Sequence, residues 1–161
     1  MLHPVASFCV FFAEMLIAYT YFMGLMEQRF LSSKCVLFGT LLFSAASAVN
    51  LLSGNNTTLN LFVSFLVTTM FAIICFRGNV IQKVFYTLII VIVSGTLEAV
   101  TLSLSTFVTG NAFLDYNGNP FLLLFEAISS KGIYYLVVLV LVRIINPSGH
   151  ASKVPLNFFT Y

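Results

Sequence analysis

Five long apolar runs, separated by short polar segments, are the feature of this sequence that most restricts its fold. The runs cover residues 5–26, 35–52, 59–76, 84–110 and 121–145. About 20 apolar residues are needed to cross a hydrocarbon core about 30 Å thick, and each run reaches or approaches that length. The runs are continuous rather than alternating, which is typical of helices and not of barrel strands. Since lipid tolerates only helices and closed barrels, the sequence predicts an all-α, polytopic membrane bundle of about five transmembrane helices.

The composition of the chain agrees with a fold surrounded by lipid. Of its 161 residues, 60% are hydrophobic and 7% are charged, whereas roughly a quarter are charged in an ordinary soluble domain. So few charged side chains cannot cover a water-soluble surface. The net charge of +2 and the dispersed basic residues argue against a nucleic-acid partner. The first apolar run lacks a basic start and is too long for a cleaved signal peptide, so we predict that it is a permanent span.

Basic residues lie in alternate connections between the predicted spans, and this bias predicts the orientation of the chain. Those that follow the first, third or fifth span are Arg29, Lys34, Arg77, Lys83, Arg143 and Lys153. The second and fourth connections contain no Lys or Arg. We therefore predict an extracellular N-terminus and a cytoplasmic C-terminus. Residues 1–146 would form the bundle, and residues 147–161 would be a cytoplasmic tail or the start of a truncated sixth helix.

Four ionisable residues lie inside the predicted spans: Glu14, Glu98, Glu126 and Lys131. A charged residue at a helix centre costs roughly 2.5–3.5 kcal/mol on insertion scales. At about 1.5 Å per residue, these four lie about 18–25 Å from the cytoplasmic ends of their helices, in one layer slightly outside the midplane. We predict that Glu98 pairs with Lys131 of the next helix, because pairing offsets part of the desolvation of both. Glu126 lies about 140° from Lys131 around the same helix, so those two should not pair.

Two interpretations of this polar layer stay open. The Glu98–Lys131 pair either fixes helix register or belongs to a ligand-sensing site, and Glu14 is either a further member of that site or a protonated, hydrogen-bonded residue. If Lys131 instead marked the outer interface, the rest of its helix would span only about 21 Å, short of the hydrocarbon core. We therefore place it inside. The secondary polar candidates, which are more often interhelical hydrogen-bond residues than ligand contacts, are Asn50, Asn60 and Ser130.

The sequence contains none of the motifs that carry common enzyme or metal chemistry. It has no zinc-binding helix, no Gly-rich phosphate loop and no Ser or Cys nucleophile beside a His. Cys9, Cys35 and Cys75 have no metal-ligand spacing and are interpreted as packing residues. We therefore predict a protein that is not an enzyme and that binds no metal or cofactor. Five spans also divide poorly into the internal repeats that many transporters contain.

Four features, in order along the chain, resemble a known receptor family. They are the Phe76-Arg77-Gly78 turn with Lys83 opening the fourth span, Glu98 inside that span, Ser130-Lys131 in the fifth span, and Arg143-Ile144 after them. In these features the chain resembles, over its whole length, the N-terminal membrane sensor region of peptide-pheromone-type receptor histidine kinases. The cytoplasmic part of that family carries a GHKL-type ATPase.

The resemblance implies a bacterial plasma membrane and a sensor of six or seven helices, followed by a phospho-accepting His and an ATP-binding domain. This chain departs from that pattern, because none of the kinase's nucleotide-binding motifs is present before it ends at Tyr161. The expectation is therefore a sensor module without its output, as a fragment, a truncated paralogue or an excised domain.

The leading functional hypothesis is a membrane module that senses an extracellular peptide or small-molecule ligand through its polar layer. Its partners would be the lipid bilayer, that ligand and a second copy of the chain in a homodimer. Two other classes stay open. One is a small membrane transporter or the substrate-binding subunit of a transporter, and the other is a structural partner in a larger membrane complex.

Overall fold

Five α-helices account for most of the described chain, which confirms the predicted all-α bundle. The computed structural model describes residues 2–52, 57–109 and 120–146, with side chains at 9–52, 58–104, 106, 107 and 128–146. Within those ranges the helices are α1 (Leu2–Leu25), α2 (Ser32–Leu52), α3 (Thr57–Cys75), α4 (Val80–Thr109) and α5 (Pro120–Ile145). The predicted tail or sixth helix, residues 147–161, lies outside the described residues.

The clearest difference between the predicted spans and the helices is the start of α4. The prediction begins this span at residue 84, whereas the helix begins at Val80. The Asn79 side chain accepts a hydrogen bond from the backbone amide of Ile81 at 3.1 Å, so Asn79 caps this end of the helix. The cap places Lys83 inside α4 rather than in the connection that precedes it.

Four helices are long and apolar enough to cross a membrane, over Ser32–Leu52, Thr58–Cys75, Val80–Leu104 and Ile128–Ile145. In α1 the corresponding stretch among the described side chains, Cys9–Leu25, is shorter than a full span. Large apolar side chains such as Leu37, Phe62 and Val140 lie exposed on the outer faces, and an apolar surface of this extent is typical of lipid contact. The protein is therefore a multi-pass membrane protein. Helix α1 itself has 24 residues and is longer than α2 and α3, so the five helices correspond to the five predicted spans.

Helix α1 is the most enclosed element of the bundle. The helices neighbour one another in chain order, and contact between α5 and α1 closes the ring. Helix α1 also touches α3 and contributes the largest share of the buried apolar side chains. Its Phe22 ring lies 5.5 Å from that of Phe76, centroid to centroid. Gly24 permits the close approach of α1 to α5, because a Cβ atom there would overlap the Val142 side chain.

One end of the bundle, which we call the basic end, carries the α1–α2 connection with Arg29, the α3–α4 connection with Arg77, and the first turns of α2 and α4 with Lys34 and Lys83. Helix α5 finishes at the same end, where Asn146 Nδ2 donates a hydrogen bond to the Gly24 carbonyl at 3.2 Å. Since α1 and α5 both finish there, the odd-numbered helices run in one direction. The grouping of these basic residues at one end agrees with the sequence analysis. Which face of the membrane this end occupies stays a prediction.

The two connections at the basic end pair with each other through their backbones as a short antiparallel bridge. The Arg29 amide donates to the Cys75 carbonyl, and the Arg77 amide donates to the Glu27 carbonyl, both at 2.8 Å. Backbone groups near the hydrocarbon need partners because water is scarce there. The bridge satisfies four such groups and joins the α1–α2 hairpin to the α3–α4 hairpin.

Candidate functional site

Lys131 of α5 lies between two carboxylates that come from two other helices. Its ammonium group donates a hydrogen bond to Glu14 Oε1 of α1 at 2.5 Å and another to Glu98 Oε1 of α4. We call these three residues the charge triad. The predicted Glu98–Lys131 contact is therefore present. Glu14, which the sequence placed in the same layer without a partner, is the second acceptor.

The two carboxylates of the charge triad differ in exposure. The side chains of Lys131 and Glu14 are 10% and 16% exposed, whereas that of Glu98 is 49% exposed. A half-exposed carboxylate can be reached by a second cation, while an enclosed one can be reached only if the helices separate. We therefore call Glu98 the accessible arm of the triad and Glu14 its enclosed arm.

The charge triad is not electrically balanced. With all three groups ionised, it carries two negative charges and one positive charge. Opposite charges at this separation attract strongly where the dielectric constant is low, but one negative charge stays uncompensated within the triad. The Tyr134 ring, 6.0 Å from the ammonium, adds a cation–π contact and no further positive charge. A proton or an additional cation would balance this charge.

A narrow cavity lies at the centre of the bundle, beside the enclosed arm of the triad. Its polar wall consists of Glu14, Ser64, Thr68, Ser94 and Tyr134. Apolar side chains complete the wall, including Phe43 of α2, so that all five helices contribute. The cavity has room for about one water-sized guest. Hydroxyl groups from α3, α4 and α5 thus share one small space with the Glu14 carboxyl group.

A second lysine, Lys83 of α4, is buried at the basic end and is only 2% exposed. Its ammonium donates to the Phe76 carbonyl at 2.6 Å and to the Ile73 carbonyl at 3.4 Å. Carbonyls at a helix C-terminus lack partners within the helix and lie at the negative end of its dipole. Lys83 therefore holds the end of α3 to the start of α4. The sequence analysis used this lysine to orient the chain and as part of the family resemblance, but it missed these contacts.

The remaining predicted site residues have different outcomes. Glu126 belongs to the backbone of α5, but its side chain lies outside the described side chains. Ser130 is buried, and its hydroxyl has no hydrogen-bond partner among the described residues. Asn50 and Asn60 are half-buried near the ends of α2 and α3 that lie away from the basic end. Lys131 is buried within α5, and its position inside the hydrocarbon core stays a prediction.

The sequence analysis also missed the hydroxyl groups on the polar wall of the cavity. Its one signal is the spacing of Ser64 and Thr68, which are four residues apart and therefore lie on one face of α3. Many membrane helices carry such pairs, and nothing in the sequence relates this pair to Glu14. Only the packing of α1 against α3 brings them to the same space.

No family model, curated protein or solved structure matches this chain. The resemblance to receptor histidine kinases therefore stays a prediction that rests on sequence features. The charge triad and the cavity beside it are the features from which function has to be argued.

Proposed function

We propose that this protein is a membrane-embedded sensing module that receives an extracellular ligand at the charge triad and transmits the signal through α5. The proposal keeps the resemblance to the sensor region of receptor histidine kinases, whose catalytic output lies in other domains. One observation carries it. A single ammonium group, that of Lys131, joins three helices through two carboxylates of unequal exposure.

The charge triad suits a switch because one of its contacts can be replaced. A cationic group on a ligand, such as an amine or a guanidinium, would compete with Lys131 for the accessible arm, Glu98. Helix α4 would then lose its ion pair with α5, while Glu14 keeps Lys131 attached to α1. A ligand shifts two states only by its difference in affinity for them. When Lys131 has left Glu98, the Glu98 carboxylate is free to bind the ligand, so the ligand has a higher affinity for that state.

Helix α5 is the element that would carry the signal to the basic end. Lys131 lies 14 residues before Ile145, or about 21 Å along the helix. At that end the Asn146–Gly24 hydrogen bond and the packing of Val142 against Gly24 couple α5 to α1. A change in α5 at the triad would thus alter the α1–α5 contact at the end that the orientation prediction assigns to the cytoplasm.

The central cavity is too small for an organic molecule, so a carrier for such molecules would need a different site. Pockets for such ligands usually measure about 300–1,000 Å³, whereas this cavity has room for about one water-sized guest. A purely structural partner of a larger complex would not require a half-exposed carboxylate in the ion pair. The triad therefore favours sensing over both alternatives.

A chimera tests the proposal without knowledge of the ligand. The whole chain is fused to the kinase domain of a receptor histidine kinase, and autophosphorylation is measured in proteoliposomes with no ligand added. We expect Glu98→Gln to change the basal rate by about fivefold, since about 1 kcal/mol of altered coupling shifts a two-state equilibrium by that factor. The matched control is Thr96→Val on the same helix, where an exposed hydroxyl bonds only to its own helix.

Lys131→Met is the second variant of this experiment. It removes the ammonium that joins the three helices, so the basal rate should change again. Basal rates that equal the wild type in both triad variants, for protein inserted at normal yield, would contradict the sensing proposal.

A further inference from the structure

Two hydroxyl groups on the wall of the central cavity differ from many other helix hydroxyls of this bundle. Eight Ser and Thr side chains among the described residues donate to the carbonyl four residues earlier, namely those of Thr20, Thr40, Ser44, Thr69, Thr96, Thr101, Ser103 and Thr106. In the described part of the chain, Ser64 and Thr68 make no such bond and have no other hydrogen-bond partner. Thr68 is only 4% exposed. A guest in the cavity would give this hydroxyl a hydrogen-bond partner.

The oxygen atoms around the cavity are arranged as acceptors. One oxygen of Glu14 accepts from the triad ammonium, while the described residues supply no donor to its second oxygen, Oε2. Tyr134 donates its hydroxyl proton to the Ile90 carbonyl at 3.3 Å, and its phenol oxygen also has a hydrogen bond with the Ser94 side chain. Ser64 and Thr68 lie one turn apart on the α3 side of the same space. The wall thus offers a carboxylate oxygen and several hydroxyl oxygens to one guest.

We propose that the central cavity binds one small monovalent cation, with oxygen ligands drawn from Glu14, Ser64, Thr68, Ser94 and Tyr134. Carboxylate and hydroxyl oxygens are hard ligands that suit hard cations. The volume accommodates about one water-sized guest, which fits a single dehydrated ion. A divalent ion would be poorly neutralised here, because Glu14 is the only carboxylate among the described wall residues.

The charge of the triad favours a cation over a water molecule. A water molecule would satisfy the hydroxyls but would leave the excess negative charge of the triad in place. In a low-dielectric interior an uncompensated charge is unfavourable. A monovalent cation beside Glu14 brings the net charge of the triad and its guest to zero, with Lys131 on one oxygen and the ion on the other. This inference does not rest on the sensing proposal, because the ion can bind without the extracellular ligand and without an output domain.

Sodium ion is the probe for this site. Purified protein in detergent micelles is melted as NaCl replaces choline chloride at constant ionic strength. We expect replacement from about 1 mM to about 100 mM Na+ to raise the melting temperature by about 5 °C, because an ion that binds only the folded state stabilises it by mass action. Equal melting temperatures in NaCl and choline chloride would overturn the proposal. Stabilisation that appears only on acidification in choline chloride would also overturn it, since the guest would then be a proton on Glu14.

The chain offers a closely matched pair of variants. Thr68→Val removes an unpartnered hydroxyl from the cavity wall, and we expect the Na+ concentration for half-maximal stabilisation to rise about tenfold, equivalent to one lost ligand. Thr69→Val removes the neighbouring hydroxyl, which bonds to the Phe65 carbonyl at 2.7 Å, and should leave that concentration unchanged. The same shift in both variants would contradict a site in this cavity.

Binding of radioactive Na+ to the unmodified protein keeps the proposal testable if a variant fails to fold. Equilibrium dialysis should show saturable binding that approaches one ion per chain. Binding that rises linearly with concentration would overturn the proposal. If the protein does not bind Na+, the expected effect of Glu98→Gln on autophosphorylation of the chimera is unchanged. The two proposals can therefore fail separately.

Discussion

Lys83 and Lys131 are both buried in this bundle, but their partners differ in kind. Lys83 donates to two main-chain carbonyls at the end of α3, whereas Lys131 donates to two carboxylates from α1 and α4. Carbonyl groups have no titratable charge and belong to the backbone, so they remain acceptors under all conditions in which α3 stays folded. Carboxylates can be protonated, and another cation can displace their partner.

The comparison indicates that the two regions have different tasks. At the basic end, the contacts of Lys83 and of the backbone bridge all use neutral carbonyl groups as acceptors. At the charge triad, the contacts between helices depend on the charge state of three side chains. A region of the first kind maintains a fold, and a region of the second kind can change it. The following predictions test whether the two lysines separate in this way.

Lys131→Met should have the largest effect, because it leaves two carboxylates close together without their counter-ion. Removal of one member of a buried ion pair destabilises a protein by about 3–5 kcal/mol. The measurement is the free energy of unfolding in mixed detergent micelles. The control is the triple variant Glu14→Gln, Glu98→Gln, Lys131→Met, which buries no charge and should recover most of the loss. If the triple variant is as unstable as the single one, packing rather than charge explains the effect.

Lys83→Met should destabilise the protein by about 1–3 kcal/mol, because it leaves neutral carbonyls rather than charges without a partner. The same unfolding assay measures it. Lys34→Met is the matched control, since Lys34 is an exposed lysine at the same end, and it should have little effect. Equal losses in the two variants would mean that the Lys83 contacts to α3 contribute nothing specific.

The two arms of the triad should also differ from each other. Glu14→Gln should destabilise the protein by about 1 kcal/mol more than Glu98→Gln, because protein encloses the Glu14 contact more fully than the Glu98 contact. Parallel unfolding curves of the two single variants give this difference directly. A larger loss in Glu98→Gln would reverse the assignment of the enclosed and accessible arms.

Asn146→Ala should have the smallest effect, about 0.5–1 kcal/mol, which is typical for one neutral hydrogen bond. It removes the bond from α5 to the Gly24 carbonyl and leaves the triad intact. Arg143→Gln, an exposed position on the same helix, is the control and should be neutral. In the kinase chimera, Asn146→Ala should reduce the effect of Glu98→Gln on the basal rate if α5 transmits the signal.

The sequence was sufficient to predict the helices and the contact between Glu98 and Lys131. Each of these depends on position along a helix. The number of apolar residues and the energetic cost of a buried charge determine that position. Position around a helix is a different quantity. The pairing of Glu14 with Lys131 depends on which face of α1 meets α5, and several rotations would keep Glu14 at the same depth.

The same reason explains why the cavity and the role of Lys83 were missed. Ser64 and Thr68 face Glu14 only because α1 packs against α3. Lys83 reaches the carbonyls of α3 because the Asn79 cap starts α4 four residues before the predicted span. Both features come from rotation and local capping geometry, which the hydrophobic pattern does not specify.

The backbone bridge at the basic end also constrains the order in which the chain can assemble. The amide of Arg29 finds its acceptor on Cys75, so this bond cannot form before the second hairpin has been made. Synthesis and insertion of the second hairpin supply that acceptor. A ribosome-arrested chain that ends after α2 should therefore exchange the Arg29 amide hydrogen rapidly, and one that ends after α4 should protect it. Formation of the bridge thus reports the step at which the two hairpins associate.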